Sequence, residues 1–149
     1  MRRSLLAVSW LLLISPLFAQ FNLVGDATVT GLGCFQLTPD VSTQRGAVWT
    51  STPIDFSQGF DLVLEFNLGC KDANGADGMG FVFQTVGPNA LGGPGGWLGL
   101  LGITPSIVIE LDNWENTDRI DPADDHIAIG MNGNAFRNSP NNLAGPVQL

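Results

Sequence analysis

The chain reads Ser106-Ile107-Val108-Ile109-Glu110-Leu111-Asp112 and, after an acidic loop, His126-Ile127-Ala128-Ile129-Gly130-Met131. Polar and apolar side chains alternate in both stretches, and this period of two residues is typical of a β-strand that buries one face. The isoleucines fall on one face of each strand, whereas Glu110, Asp112 and His126 fall on the other. We therefore predict two strands whose isoleucine faces point inward. Their acidic and imidazole side chains meet if the strands pair antiparallel.

Other stretches predict further strands. Phe60–Leu68 alternates with its even-numbered positions apolar, which predicts a half-buried strand, and Gly80–Val86 is apolar on both faces, which predicts a more central one. Thr28–Leu37 and Ala47–Thr52 are weaker candidates. Glycine and proline mark the connections at 69–78, 87–102 and 132–145. The sequence thus predicts an all-β fold, one antiparallel β-sandwich with long loops.

The first 19 residues have the composition of a secretory signal peptide. Met1-Arg2-Arg3-Ser4 is basic, the run Leu5–Phe18 is apolar, and the small residue Ala19 follows. The run is shorter than the roughly 20 apolar residues of a membrane-spanning helix, although retention as an uncleaved anchor is the alternative. We predict a signal peptide at 1–19, a domain at 20–149 and no membrane insertion. The protein would be secreted, whether extracellular, periplasmic or held at the cell surface.

The charge balance excludes several kinds of partner. The formal net charge is −8 at pH 7, and loss of Arg2 and Arg3 with a signal peptide makes the remainder more acidic. Nucleic-acid backbones and anionic membrane surfaces select basic patches, so we expect neither as a partner. Cys34 and Cys70 would be exported to an oxidising compartment that permits a disulfide between them, or they are two buried thiols. The sequence leaves both alternatives open.

Acidic residues crowd beside the single histidine of the chain. They are Glu110, Asp112, Glu115, Asp118, Asp121, Asp124 and Asp125. Hard oxygen ligands suit Ca²⁺, and one imidazole makes a second site suited to Mn²⁺ or another transition ion. The strand directions group the ligands of the transition ion as Glu110, Asp112, Asp121 and His126. The ligands of an adjacent Ca²⁺ would be Asp112, the Trp114 carbonyl, Asn116 and Asp121.

The same spacing carries a family resemblance. Glu-x-Asp-x-aromatic-x-Asn from Glu110, then Asp121-Pro122, then His126-Ile127-x-Ile129 resembles the metal loop of the legume, or L-type, lectins. Two upstream stretches resemble the sugar-binding loops of that family, Asn74-Gly75-Ala76-Asp77-Gly78 and Gly95-Gly96-Trp97-Leu98-Gly99. The resemblance covers roughly residues 21–133. It is strongest in the bacterial secreted branch, where Leu68-Gly69-x-x-Asp72 precedes the Asp77 loop.

The resemblance implies a concanavalin A-like jelly roll and a metal-dependent, non-catalytic lectin that binds a glycan or glycoconjugate and holds Ca²⁺ and Mn²⁺. It implies that Asp77, Gly96, Trp114 and Asn116 contact the sugar, and that Ala76–Asp77 is a cis peptide. The later strands and specificity loop of the family have no counterpart within residues 1–149. We therefore expect the N-terminal part of such a domain, with room for additional domains after it.

Two other functions compete with this one. Glu110 and Glu115 also fit Glu-x-Asp-x-x-Glu, which resembles the catalytic strand of laminarinase-type retaining β-glucanases, with Glu110 as nucleophile and Glu115 as general acid/base. Strand parity opposes this enzyme, because the two side chains point to opposite faces unless a bulge intervenes. The third function is a structural adhesin module in which metals only stabilise the loops.

Overall fold

The computed structural model describes residues 20–71 and 74–149. The signal peptide predicted at 1–19 lies outside the described residues. The described part consists of antiparallel strands joined by loops and by two short 3₁₀ turns, Gly95–Trp97 and Thr117–Arg119. The strands are β1 Phe21–Gly25, β2 Thr28–Gly31, β3 Cys34–Gln36, β4 Gly46–Thr50, β5 Gly78–Gln84, β6 Ser106–Asp112, β7 His126–Met131 and β8 Asn142–Gln148. The all-β prediction is confirmed.

One antiparallel sheet, with strand order β5-β6-β7-β8, positions the site. Two-stranded ribbons are formed by β1 with β4 and by β2 with β3. In the larger sheet, Asp112 lies opposite both Gly78 of β5 and His126 of β7, and Glu110 lies opposite Ala128. The antiparallel pairing of β6 with β7 is the one that lets the acidic and imidazole side chains meet.

Most predicted strands are present with small shifts. The bounds of β6 and β7 are as predicted, Thr28–Leu37 divides into the β2–β3 hairpin, and Ala47–Thr52 contains most of β4. The predicted central strand is β5, which lies at an edge of the described sheet. Its position was predicted wrongly because Phe81 and Phe83 are covered by aromatic rings from the preceding segment, and not by a strand on each side.

Residues 60–68 form no strand in the described structure, contrary to the prediction. Val63 is 93% exposed. The rings of Phe60 and Phe66 contact Phe83 and Phe81, with ring centroids 6.2 Å and 6.0 Å apart. The alternation therefore marks the side that packs on β5. A strand also needs a hydrogen-bonded neighbour, and among the described residues no strand pairs with this segment.

The predicted inner face of the four-stranded sheet is the less buried one at its isoleucines, although Leu111 on the same face is 4% exposed. Strand parity is as predicted, but Glu110 and His126 are buried, whereas Ile107 is 48% and Ile129 is 37% exposed. Leu100, which is only 3% exposed, packs on the acidic face from the glycine-rich loop after β5. The described residues cover the isoleucine face less completely. The loops that lie over each face of the sheet, and not the polarity of its side chains, therefore determine which face is more buried.

Cys34 and Cys70 are exposed and unbridged. Neither alternative from the sequence, a disulfide or two buried thiols, is found. Cys34 lies on β3, which pairs with β2, and Cys70 lies outside the strands, so the described strand pairing does not bring the two sulfur atoms together. Within residues 20–71 and 74–149, no helix has the length and apolar character needed to cross a bilayer.

Candidate metal centre and adjoining loops

The end of β6 and the start of β7 bring together the side chains of Glu110, Asp112 and His126. Each offers one ligand atom, and these atoms lie within 4.8 Å of one another. Glu110 and Asp112 are two positions apart and project from one face of β6, and the pairing of Asp112 with His126 sets the imidazole beside them. All three are buried. Two carboxylates and an imidazole form a ligand set suited to a divalent ion.

His126 is oriented for ligation through Nε2. Its Nδ1 lies 3.0 Å from the backbone carbonyl oxygen of Asp124. A neutral imidazole that donates from Nδ1 directs the lone pair of Nε2 toward the carboxylates. Nε2 lies 3.8 Å from Oε1 of Glu110 and 3.7 Å from Oδ1 of Asp121. An ion held about 2.1 Å from nitrogen and oxygen ligands spans such separations, so these residues fit a transition ion.

Asp121 reaches the cluster from the loop between β6 and β7. The turn Thr117–Arg119 ends at Ile120, whose φ of 65° redirects the chain just before Asp121. Oδ2 of Asp121 is buried and has no hydrogen-bond partner among the described residues. An unpaired buried carboxylate oxygen costs free energy unless a cation meets it. This oxygen therefore fits the Ca²⁺ that the sequence predicts beside the transition ion.

Asp112 has a perturbed acidity. Burial raises the pKa of its carboxyl to about 7; the Trp114 N–H, 2.9 Å from Oδ1, opposes the rise, and the charges of Asp121 and Glu110 add to it. A divalent ion favours the carboxylate over the carboxylic acid. An ion bound at Asp112 would therefore release a proton near neutral pH.

Arg137 is a site residue that the sequence reasoning missed. Its guanidinium pairs with Glu110, its Nε donates to Oδ1 of Asp121 at 2.7 Å, and its Nη2 lies 3.0 Å from Nε2 of His126. Burial tends to lower the pKa of Arg137, but the hydrogen bond to Glu110 and the charges of Glu110 and Asp121 raise it overall. The only signal in the sequence was the scarcity of basic residues in an acidic chain.

A second group of residues lies beside the metal cluster. The backbone oxygen of Asp77 accepts a hydrogen bond from the N–H of Asn113, at 3.2 Å, just after β6 ends. The Ala76–Asp77 peptide is cis, as the resemblance implies. Oδ2 of Asp77 lies 3.9 Å from the point where a Cβ on Gly95 would stand. Burial raises the pKa of Asp77, and the charge of Arg119 opposes that rise.

Gly96 contacts the loop between β6 and β7, which carries Asn116 and Arg119. A Cβ on Gly96 would stand 2.2 Å from Oδ1 of Asn116 and 2.6 Å from Nη1 of Arg119. Arg119 is 8% exposed, donates to the Gly96 carbonyl, and lies 4.2 Å from the centroid of the Trp97 ring. The predicted residues Asp77, Gly96 and Asn116 thus come together from three loops. Arg119, which the sequence reasoning did not single out, ties two of these loops to each other.

Trp114, the remaining predicted sugar contact, is 43% exposed. With Glu115 it lines an open depression of about 590 Å³, and neither Asp77 nor Gly96 belongs to the lining of that depression. Trp114 therefore presents its ring at an open surface, and Asp77, Gly96 and Asn116 lie half-buried outside that depression. Such a surface suits a ligand held by hydrogen bonds and by one aromatic face.

Sequence comparisons relate the chain to known proteins. The family model of the legume lectin beta-barrel domain matches residues 15–147. The chain is 33% identical over 129 residues, 86% of its length, to the pesticidal crystal protein Cry22Aa of Bacillus thuringiensis. It is 33% identical over 99 residues, 64% of its length, to a serine-rich adhesin for platelets of Staphylococcus aureus (strain MRSA252). The chain spans only 17% and 7% of the lengths of these two relatives.

A solved structure shares the fold. The lectin from Bauhinia forficata in complex with GalNAc aligns with a TM-score of 0.55 at 21% sequence identity. The alignment covers 78% of this chain and 56% of that lectin. The antiparallel strands described above thus belong to a legume-lectin type of β-sandwich, which confirms the predicted fold class.

Proposed function

Because the chain belongs to the L-type (legume) lectin family, we propose that it is a carbohydrate-binding module whose sugar surface is formed by Asp77, Gly96 and Asn116. The observation that carries the proposal is the meeting of these three loops directly beside the buried cluster of Glu110, Asp112 and His126. A residue set that only stabilised loops would not need a carboxylate, a half-buried glycine backbone and an amide side by side.

Each proposed contact matches a feature of a pyranose. The carboxylate of Asp77 accepts hydrogen bonds from sugar hydroxyls, and charge-assisted bonds of this kind are stronger than neutral ones. The backbone N–H of Gly96 donates, and the side chain of Asn116 adds a further polar contact. The exposed ring of Trp114 offers an apolar surface to the C–H face of the sugar.

We propose that two ions order these loops and take no part in any reaction. Ca²⁺ would be held by Asp112, the Trp114 carbonyl, Asn116 and Asp121, and Mn²⁺ or another transition ion by Glu110, Asp112, Asp121 and His126. When bound, the ions neutralise the buried carboxylates and fix the loop that carries Asn116. The unpaired Oδ2 of Asp121 and the orientation of His126 support these assignments.

The proposed setting is outside the cell. We propose a signal peptide at 1–19 and a lectin-like domain at 20–149 within a longer, secreted or surface-held protein. Support comes from the relatives, which include an adhesin and a pesticidal crystal protein and are many times longer than the matched region. The proposed partner is a glycan or glycoconjugate, and neither nucleic acid nor a lipid bilayer is expected to bind.

The first test replaces Asp77. Asp77→Asn keeps the side-chain size but removes the charged acceptor, so we expect at least about a tenfold loss of glycan affinity. A glycan array in Ca²⁺ and Mn²⁺ identifies the sugar, and titration calorimetry then measures the affinity. Asp55→Asn is the matched control, because Asp55 is an exposed carboxylate elsewhere in the chain. Unchanged affinity in Asp77→Asn, or undiminished binding in excess chelator, would contradict the proposal.

The competing adhesin and glucanase functions predict different results. A purely structural module would bind metal but no glycan on the array. For a glucanase, Glu110 would have to act as the nucleophile, yet it is buried against Arg137 while Glu115 is exposed. We expect the wild-type chain to hydrolyse no β-glucan. Hydrolysis that disappears in Glu115→Gln would favour the enzyme.

A further inference from the structure

Arg137 places a positive charge where the proposed ligands of the transition ion converge. It pairs with Glu110, donates to Asp121, and lies 3.0 Å from Nε2 of His126 through Nη2. The side chain of Arg137 is 6% exposed, and the carboxylates that it pairs with are 3% and 1% exposed. A guanidinium buried among three such partners is a built contact, unlike a flexible ion pair at the surface.

The guanidinium and a transition ion exclude each other from this position. Nε2 of His126 and Oε1 of Glu110 are 3.8 Å apart, and an ion bound to both at about 2.1 Å lies between them. Nη2 of Arg137 contacts both of these atoms. Two cations also repel strongly at such short range in a buried site. An ion that uses His126 therefore requires the guanidinium to move away.

The proposed calcium ligands are engaged differently. Oδ1 of Asp112 accepts from the Trp114 N–H, and Arg137 donates to Oδ1 of Asp121, which leaves Oδ2 of Asp121 without a partner among the described residues. The His126 half of the centre thus contains a cation of the protein itself, and the calcium half still presents an unpaired acceptor. The calcium half therefore requires a cation to pair with Oδ2 of Asp121, whereas the His126 half already contains one.

We propose that Arg137 is the resident cation of the His126 half, and that a transition ion binds there only by displacing it. The guanidinium neutralises Glu110 and Asp121 and lies within hydrogen-bond distance of Nε2 of His126, so the carboxylates of this half are paired without metal. This inference rests on the proposed lectin function and deepens it, because it concerns the ions that order the sugar surface. Its consequence is that Ca²⁺ orders the sugar surface more than the transition ion does, because an ion in the His126 half must first displace Arg137.

The test removes the charge of Arg137. Arg137→Met keeps an unbranched side chain, and two readouts involve no sugar, the Tm of the metal-free full chain and calorimetric titration with Mn²⁺ in saturating Ca²⁺. We expect the metal-free Tm to fall by about 5 °C or more, because two buried carboxylates lose their partner. We expect Mn²⁺ to bind at least about tenfold more tightly, because no guanidinium has to leave.

Two further variants make the result specific. Arg137→Lys keeps the charge but loses the planar fork, so both readouts should fall between those of the wild type and the methionine variant. It also serves if Arg137→Met does not fold. Arg45→Gln removes a guanidinium that donates to the Gly92 carbonyl, and it should leave the Mn²⁺ affinity unchanged.

Unchanged Mn²⁺ affinity in both Arg137 variants would overturn the proposal. Weaker Mn²⁺ binding would overturn it as well, because Arg137 would then help to hold the ion instead of competing with it. A failure of the proposed lectin function gives a different result. The wild type would then bind no glycan under any metal condition, but Arg137→Met would still lower the Tm and still strengthen Mn²⁺ binding.

Discussion

Gly96 lies where the glycine-rich loop comes closest to the metal loop. The three atoms that a Cβ would strike, Oδ1 and Cγ of Asn116 and Nη1 of Arg119, all lie toward the ends of side chains. An alanine is therefore accommodated by moving those side chains, and the fold itself need not change. That movement takes Asn116 away from the proposed sugar surface.

We expect Gly96→Ala to lower glycan affinity at least about tenfold and to change the Tm by less than about 2 °C. Calorimetry with the sugar identified on the array and a thermal melt measure the two quantities. Gly59→Ala is the matched control, because a Cβ at Gly59 meets nothing within 4 Å. An unaltered affinity in Gly96→Ala would show that Asn116 is not held in place by this contact.

Site residues on strands were predictable from strand geometry, whereas site residues on loops were predictable only where a family motif contains them. Glu110, Asp112 and His126 meet because the two-residue period fixes the face of each side chain and the antiparallel pairing fixes the neighbour. Arg119 and Arg137 enter the site through loops, whose paths depend on local features such as the positive φ of Ile120. No periodic pattern encodes such a path, so their contacts could not be derived from the sequence.

At the scale of the element, β6 shows which properties of a strand the polar–apolar alternation predicts and which it does not. The bounds and the parity of this strand were predicted correctly. The buried face was not, because a strand pattern does not state which loops will lie over it. Val108, on the acidic face, is 1% exposed, whereas the larger Ile107 on the other face is 48% exposed.

We expect Val108→Ala to lower the free energy of unfolding by about 2 kcal/mol, because it removes methyl groups from a fully packed position. Ile107→Ala removes more atoms, yet we expect a loss below about 1 kcal/mol, because that side chain is already half in water. Urea denaturation of both variants gives the comparison. A larger loss for Ile107→Ala would mean that the isoleucine face is the buried one after all.

At the scale of the whole molecule, buried carboxylates are gathered in a fold whose sheet is covered mainly by loops. An ion that binds only the folded chain stabilises it by mass action, by about 2.7 kcal/mol at a concentration one hundred times its dissociation constant. The family fold was predictable because its motifs occur in order along the chain. The partial cover of the sheet was not predictable, because it depends on contacts between distant segments.

We therefore expect excess chelator to lower the Tm of the full chain by several degrees, and added Ca²⁺ to restore it. Asp77→Asn should keep this Ca²⁺-dependent shift, because Asp77 is proposed to contact sugar and not metal. Scanning calorimetry with and without Ca²⁺ measures the effect. Identical Tm values in chelator and in Ca²⁺ would show that the metal centre does not contribute to stability.

The segment 60–68 has a mechanical consequence for the ligand cluster. Its aromatic rings pack against β5, and in the described structure it forms no strand hydrogen bonds with the sheet. Displacement of this segment therefore breaks side-chain contacts but no ladder. The β6–β7 pairing that holds Asp112 opposite His126 lies one strand further in. The ion ligands are thus insulated from movement on that flank of the molecule.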